Sequence, residues 1–190
     1  AKVDLPIQAD AKRALEAMYQ SLFQQIKKRE SSLWLKRVRE LKEEIQNRSD
    51  NNSNKAELKP ARLLEELRKD LPEDAIVTTE VGQNQMWAAI HFKTYMPRTF
   101  ISSGGLGTMG FGFPASLGAK VACPDKPVVD IAGDGSFIMT EQDLATSVLE
   151  DIPVTVIVLN NSMLGMVAQW QRLFYNRRYS ATELKGIPCL

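Results

Sequence analysis

The sequence predicts an α/β fold, a parallel sheet flanked by helices and preceded by a helical N-terminal segment. Two short apolar runs, residues 128–132 and 154–159, have the length and composition of buried strands. Residues 140–149 between them predict a helix that returns the chain to the same edge of the sheet. The carboxyl ends of both strands then lie side by side, where open α/β sheets bind their ligands.

The first part of the chain predicts two helices with apolar residues at helical spacing. Asp10 can cap a helix that starts at Ala11 and carries apolar residues as far as Ile26. Ser31 or Ser32 can cap a second, highly charged helix. Its glutamates interleave with its lysines and arginines, which favours a solvated face over a basic nucleic-acid surface.

The remaining elements alternate between helix and strand. Residues 49–54 predict a polar linker, and Pro60 suits the first turn of the next helix. After the linker we expect a helix at 61–70, a strand at 75–79, a helix at 85–92, a strand at 99–101 and a helix at 114–123. The chain has no internal repeat. We therefore expect one α/β domain of about 130 residues with an N-terminal appendage.

Composition and charge exclude several classes of function. Hydrophobic residues make up 44% of the chain and charged residues 25%, close to the globular average. The net charge of +1 gives no argument for nucleic acid or acidic membranes. No apolar run approaches the roughly 18 residues of a membrane span, and the N-terminus lacks a signal-peptide pattern. Cys123 and Cys189 lack metal-binding spacing, which predicts a reduced setting.

Two polar motifs follow the apolar runs. Residues 133–136 (Gly-Asp-Gly-Ser) end the first run, and residues 160–161 (Asn-Asn) end the second. A carboxylate and an amide at neighbouring strand ends suit Mg²⁺, which takes the rest of its roughly six oxygen ligands from phosphate and water. Glycines beside the acid would let backbone N–H groups approach phosphate oxygens. Gly, Asp and Asn are also the commonest turn residues, so two ordinary turns remain the alternative for this pattern alone.

The spacing of about two dozen residues between GDG and NN resembles the diphosphate-binding signature of thiamine diphosphate enzymes. Further blocks look like those of the acetohydroxyacid (acetolactate) synthase catalytic subunit, in family order from about residue 74 to residue 182. They are VGQ at 81–83, QMW at 85–87, SGGLGTMG at 103–110, GMVAQWQ at 165–171, FY at 174–175 and RYS at 178–180. The resemblance implies a thiamine diphosphate-binding fold that is incomplete at the C-terminus.

The resemblance implies a metal site and a diphosphate site. Mg²⁺ would be bound by the Asp134 carboxylate, the Asn161 side-chain oxygen and the Met163 main-chain carbonyl. At Asn84, in the loop after the first strand, the family usually has histidine. The residues that would contact the diphosphate are Gly135, Ser136, Gly82, Gln83 and Asn84.

The resemblance also assigns residues around the two rings of the cofactor. Met109 matches the bulky residue that keeps the rings folded against each other, and main-chain groups of Gly107 and Met109 would hold the aminopyrimidine. Met166 and Val167 would line the reaction centre, and Gly165 and Met166 would bind the cofactor. Trp170 would shape the pocket for the second 2-oxo acid. Without the resemblance, Met109, Met166 and Trp170 would favour an interpretation as packed core residues.

The activity that the resemblance implies is that of a transferase in branched-chain amino-acid biosynthesis. Pyruvate is decarboxylated with thiamine diphosphate and condensed with a second pyruvate or with 2-oxobutyrate. The parent enzyme would bind FAD as a flavoprotein, form a homodimer or tetramer and accept a regulatory small subunit. A catalytic glutamate would come from a domain of the other subunit, so we expect this chain to hold half an active site and to be inactive alone.

The implied domain organisation has two parts. Residues 1–59 would be the end of the flavin-binding middle domain plus a helical linker, with 3–7 as the last strand of that domain. Residues 60–190 would be a truncated domain for thiamine diphosphate and Mg²⁺, located in the cytoplasm or in a plastid or mitochondrion. His91, the only histidine, is assigned no chemistry.

Two alternatives to the acetolactate synthase function stay open. The chain could belong to another thiamine diphosphate carboligase or decarboxylase, such as a sulfoacetaldehyde or glyoxylate enzyme, or it could be a silent binding or dimerisation module.

Overall fold

The computed structural model describes residues 3–26, 32–51 and 58–186 of the chain. The chain divides into two compact units, residues 1–55 and residues 56–190. No helix in these described ranges is long and apolar enough to cross a membrane.

The described residues of the first unit form two helices, α1 (Ala11–Gln25) and α2 (Leu33–Asn51). The predicted caps are present: the Asp10 carboxylate accepts from the Arg13 N–H at 3.1 Å, and the Ser32 hydroxyl accepts from the Leu35 N–H at 3.1 Å. Ser31, the alternative cap, lies outside the described residues. No residue of α1 is buried, although its apolar residues repeat at helical spacing.

Two predictions for this unit are wrong. Residues 3–7 do not form a strand, because no other strand of the described chain pairs with them, and their side chains are exposed. The predicted linker at 49–54 begins too early, since α2 continues through its polar end to Asn51. Residues 52–54 lie outside the part that the structure describes.

The second unit contains a four-stranded parallel sheet with the strand order β2-β1-β3-β4. Its strands are β1 (Ile76–Thr79), β2 (Phe100–Ser102), β3 (Val128–Gly133) and β4 (Thr155–Leu159). The helices are α3 (Pro60–Asp70), α4 (Gln83–His91), α5 (Gly112–Ala122), α6 (Asp134–Phe137), α7 (Leu144–Leu149) and α8 (Gly165–Phe174). The predicted α/β class with a parallel sheet flanked by helices is confirmed.

The core lies on both faces of this sheet. Ile131 packs in a cluster with residues of α3 and α4, whereas its neighbour Ala132 packs with residues of α5 and α6. Successive side chains of a strand point to opposite faces, so this division follows from the alternation along β3. The first cluster consists of Leu64, Val77, Ala88, Phe92 and Ile131, and the second of Phe113, Leu117, Ala132 and Phe137.

Two elements after β3 differ from the prediction. The helix expected over 140–149 is a 3-10 turn, Glu141–Asp143, followed by the six-residue α7. The Met139 and Thr140 N–H groups instead donate to carbonyls of α6, which delays the start of the helix. β4 is only half-buried rather than buried, because it pairs with β3 on one side and is the last strand of the described sheet.

Candidate functional site

A cavity of about 230 Å³ opens at the carboxyl ends of β1, β3 and β4. It is the place where the predicted motifs meet, because the loops after three parallel strands converge at one edge of the sheet. All the predicted site residues except Trp170 line it. They are Gly82, Gln83, Asn84, Gly107, Met109, Asp134, Gly135, Ser136, Asn161, Met163, Gly165 and Met166.

Asp134 is the first residue of α6, which follows β3 directly, and its side chain is 3% exposed. Among the described residues, no hydrogen bond or ion pair satisfies its carboxylate. Its oxygens are not among the fully buried, unpaired side-chain atoms of the described residues, so they remain accessible from the cavity. The cavity therefore contains an acceptor that suits a positive ligand.

Asn161 and Met163 line the same cavity from the loop after β4. The Asn161 Oδ1 accepts from the Met163 N–H at 3.1 Å and keeps a second lone pair. Met163 and Glu183 lie opposite each other in an isolated antiparallel bridge. The hydrogen bonds of this bridge are made by the residues before and after each of them, not by Met163 and Glu183 themselves. The carbonyl of Met163 therefore points away from Glu183, on the same side as its own N–H and the Asn161 amide.

The loop after β1 is fixed by Asn84 rather than left free for a ligand. The Asn84 side chain is 3% exposed, and its Nδ2 donates to the carbonyl oxygens of Glu80 and Ile131, both at 2.9 Å. Both hydrogens of the amide are thus used within the protein. A diphosphate contact at this position would have to come from the Asn84 main chain, not from its side-chain N–H groups.

Gln83 and Gly165 make the wall of the cavity next to α8. The Gln83 Nε2 donates to the Gln169 Oε1 at 2.8 Å, which ties the start of α4 to α8. A Cβ on Gly165 would fall 2.2 Å from the Gln83 Oε1 and 2.8 Å from the Asn161 Nδ2. A larger residue here would have to displace both amides, so glycine lets the start of α8 lie close to Gln83 and Asn161 in this arrangement.

Of the residues predicted around the rings of the cofactor, some line the cavity and one does not. Gly107 has a φ of +63°, a conformation that favours glycine, and lines the cavity together with Met109 and Met166. Trp170 does not line it: its side chain is 54% exposed and packs on the Phe174 ring at a centroid distance of 5.2 Å. The alternative interpretation of Trp170 as a buried core residue is therefore wrong, and its role at the acceptor pocket stays a prediction.

The sequence analysis missed two buried acids behind the cavity, Glu80 and Asp130, which are both 0% exposed. The Asp130 Oδ1 accepts from the Thr78 hydroxyl at 2.8 Å, while its Oδ2 has no partner. Burial raises the pKa of Asp130 to about 7; the Thr78 hydrogen bond opposes this rise, and the nearby Glu80 carboxylate adds to it. A charged residue within an apolar strand, as in Val-Val-Asp-Ile-Ala, was the signal that could have found Asp130.

The family of thiamine pyrophosphate enzymes, in the region described as the C-terminal TPP binding domain, matches residues 80–188. The chain belongs to this family. Its curated relatives include acetolactate synthase subunits, which confirms the resemblance that the sequence motifs predict.

The probable acetolactate synthase large subunit of Methanocaldococcus jannaschii is 46% identical over 194 residues, which cover 98% of this chain and 32% of that protein. The isozyme 3 large subunit of Escherichia coli is 41% identical over 188 residues, with 97% and 32% covered. The chain thus spans about a third of the length of these relatives.

Among solved structures, a thiamine diphosphate-dependent 4-hydroxybenzoylformate decarboxylase of Rhodococcus jostii RHA1 superposes with a TM-score of 0.64. It is 29% identical, and the match covers 70% of this chain and 25% of that one.

Proposed function

We propose that the chain forms the Mg²⁺ and thiamine diphosphate site of an acetolactate synthase catalytic subunit. The observation that carries the proposal is the unpartnered Asp134 carboxylate, which faces the same cavity as Asn161 and the glycines of three loops. The identity to acetolactate synthase large subunits over nearly the whole chain supports this activity over others in the family.

The residues of the cavity fit a magnesium-bound diphosphate. Mg²⁺ prefers hard oxygen ligands, and Asp134, Asn161 and the Met163 carbonyl offer a carboxylate, an amide and a main-chain oxygen. Gly135 lines the cavity, and a Cβ at this position would meet the Leu164 and Leu184 side chains at 2.8 Å, so the turn packs closely against both leucines. Three protein oxygens leave room for phosphate oxygens and water.

Thiamine diphosphate, when bound, supplies an electron sink for the decarboxylation of a 2-oxo acid. The chain supplies position and environment. Met109 and Met166 give the cavity flexible apolar walls, and the positive φ of Gly107 lets the glycine loop (residues 103–110) pass close to the cavity. Asp134 and Asn161 would hold the diphosphate end through the metal.

The substrates and partners belong to the same proposal. Pyruvate is the first substrate, and pyruvate or 2-oxobutyrate is the acceptor, in the pathway to branched-chain amino acids. Trp170, exposed in this unit beside the cavity-lining Val167, is proposed to contact the acceptor once the rest of the enzyme is in place. FAD, a second catalytic subunit, a regulatory small subunit and a cytoplasmic or organellar location are proposed for the complete enzyme.

Calorimetry with Mg²⁺ and thiamine diphosphate tests the site. We expect Asp134→Ala to lose the Mg²⁺-dependent part of the affinity, whereas Asp125→Ala, an exposed aspartate in the turn before β3, serves as the matched control and should bind as the wild type does. Equal affinity of wild type and Asp134→Ala would refute the metal assignment.

A second candidate is another thiamine diphosphate-dependent decarboxylase, which the similarity to the 4-hydroxybenzoylformate enzyme favours. Product analysis of the complete gene product with pyruvate, alone and with 2-oxobutyrate, separates the two. Acetolactate supports the first proposal, and release of an aldehyde without condensation supports the second. Cofactor binding with no product from any 2-oxo acid would indicate a silent binding module.

A further inference from the structure

Glu80 is the first residue after β1 and lies behind the cavity, where its side chain is completely buried. Its own N–H donates to the Ile131 carbonyl at 3.1 Å and so continues the ladder between β1 and β3. The residue is therefore held on the rigid sheet, while its side chain extends toward the loops that follow the neighbouring elements.

The Glu80 carboxylate joins three segments that are far apart in the sequence. Its Oε2 accepts from the Gly110 N–H at 2.8 Å and from the Ser136 hydroxyl at 2.6 Å. Its Oε1 accepts from the Phe113 N–H at 3.0 Å. These donors belong to the glycine loop, to the turn after β3 and to the first turn of α5, three segments that surround or support the cavity.

No basic side chain compensates the Glu80 carboxylate: none of the ion pairs within residues 3–26, 32–51 and 58–186 includes it. The three N–H and O–H donors, together with the favourable field at the start of α5, are what stabilise it in the interior. A buried acceptor with several donors holds those donors in fixed positions, since losing any of them leaves it undersatisfied.

We propose that Glu80 is a positioning residue for the cofactor site, a role that rests on the proposed function. It holds Gly110 and Ser136 against each other, and so sets the distance between the glycine loop under the rings and the turn that contacts the diphosphate. The Gly110 N–H also reaches the Ser136 hydroxyl oxygen at 3.1 Å, which closes the connection between the two loops.

The hydrogen bond to Glu80 also limits how Ser136 can contact a phosphate. Its hydroxyl hydrogen is directed to Glu80, so the hydroxyl cannot donate to a phosphate at the same time. The contact that Ser136 makes with the diphosphate then comes from its main-chain N–H. Its side chain serves to anchor the turn from behind.

The test compares Glu80→Gln with Asp130→Asn in the complete gene product. In the variant, one of the two carboxylate oxygens of Glu80 is replaced by an NH₂ group, which is a donor. This NH₂ group must face either the Phe113 N–H or the Gly110 N–H, so in both orientations two donors face each other and one hydrogen bond is lost. Asp130→Asn makes the same chemical change at an equally buried site on β3 whose side chain bonds only to Thr78. It is therefore the matched control.

The measurement is the rate of acetolactate formation against thiamine diphosphate concentration at fixed Mg²⁺. For Glu80→Gln we expect the half-saturating cofactor concentration to rise about tenfold, or about 1.4 kcal/mol, with the rate at saturation changed less than about twofold. Asp130→Asn should leave the half-saturating concentration unchanged. A merely structural role would lower the amount of active protein without moving the half-saturating concentration.

Ser136→Ala provides a second variant, which removes one of the three bonds to Glu80 together with the bond from the Gly110 N–H to the Ser136 hydroxyl. We expect a smaller rise of the same kind, and less than additive effects in the double variant, because both changes break one connection. Unchanged half-saturating concentrations in both single variants would overturn the proposal for Glu80 and leave the proposed function standing. A wild-type protein that does not bind Mg²⁺ and thiamine diphosphate would instead refute the proposed function, and this inference with it.

Discussion

We expect Asp130 to make the stability of the chain depend on pH, and Asp130→Asn to remove this contribution. The side chain lies at the centre of the sheet, in register with Thr78 of β1, and its Oδ2 has no hydrogen-bond partner. Burial raises its pKa from 3.8 to about 7. Asparagine keeps an oxygen that can accept from the Thr78 hydroxyl, and it carries no charge at any pH.

The sign follows from the direction of the shift. A raised pKa means that the folded chain holds the proton more tightly than the unfolded chain, so this stabilisation is complete below the unfolded pKa of 3.8 and is lost as the pH rises through about 7. Each pH unit in that window is worth about 1.4 kcal/mol. Between pH 5 and pH 8 the wild type should therefore lose about 3 kcal/mol more than Asp130→Asn does.

The assay is urea unfolding of the wild type and Asp130→Asn at a series of pH values from 5 to 8, followed by circular dichroism. The difference between the two free energies of unfolding should grow in favour of the variant as the pH rises and level off above about 7. Asp125→Asn, in the exposed turn before β3, should run parallel to the wild type throughout. A constant difference between wild type and Asp130→Asn would refute the argument from burial.

Three further predictions concern packing and the site. Gly112→Ala should destabilise the chain by about 2 kcal/mol or more in urea unfolding. The reason is that the added Cβ would lie 2.4 Å from the Asp130 Oδ1 and 2.5 Å from the Glu80 backbone nitrogen. The control is Gly118→Ala, which should not destabilise the chain because the space around its Cβ is open. Gly165→Ala should weaken thiamine diphosphate binding at least tenfold in calorimetry, since it displaces two amides of the cavity wall. Trp170→Ala should leave cofactor affinity unchanged, because the ring lies outside the cavity, while changing the ratio of acetolactate to acetohydroxybutyrate formed from mixed substrates.

Much of the sheet and of the cavity could be predicted because the signals are local. The apolar run at 128–132 became β3 with one added residue, and Pro60 begins α3 as expected from its missing N–H. The GDG and NN motifs follow adjacent parallel strands, so their meeting at one edge of the sheet required only the strand–helix–strand connection. The resemblance to a family added the glycine loop and α8, which no periodicity would have connected to them.

Short-range patterns were enough to predict most strands and helices of the second unit and the strand ends that carry the acid, the amide and the glycines. How each polar group is used depends on contacts between distant segments. Asn84 is tied to Ile131, and Glu80 to Gly110, Phe113 and Ser136, across 30 to 56 residues of chain. Such bonds depend on which loops fold together, and no short-range pattern encodes that proximity. The same reason explains Asp130, whose pKa is set by burial that exists only once β1 and β4 enclose β3.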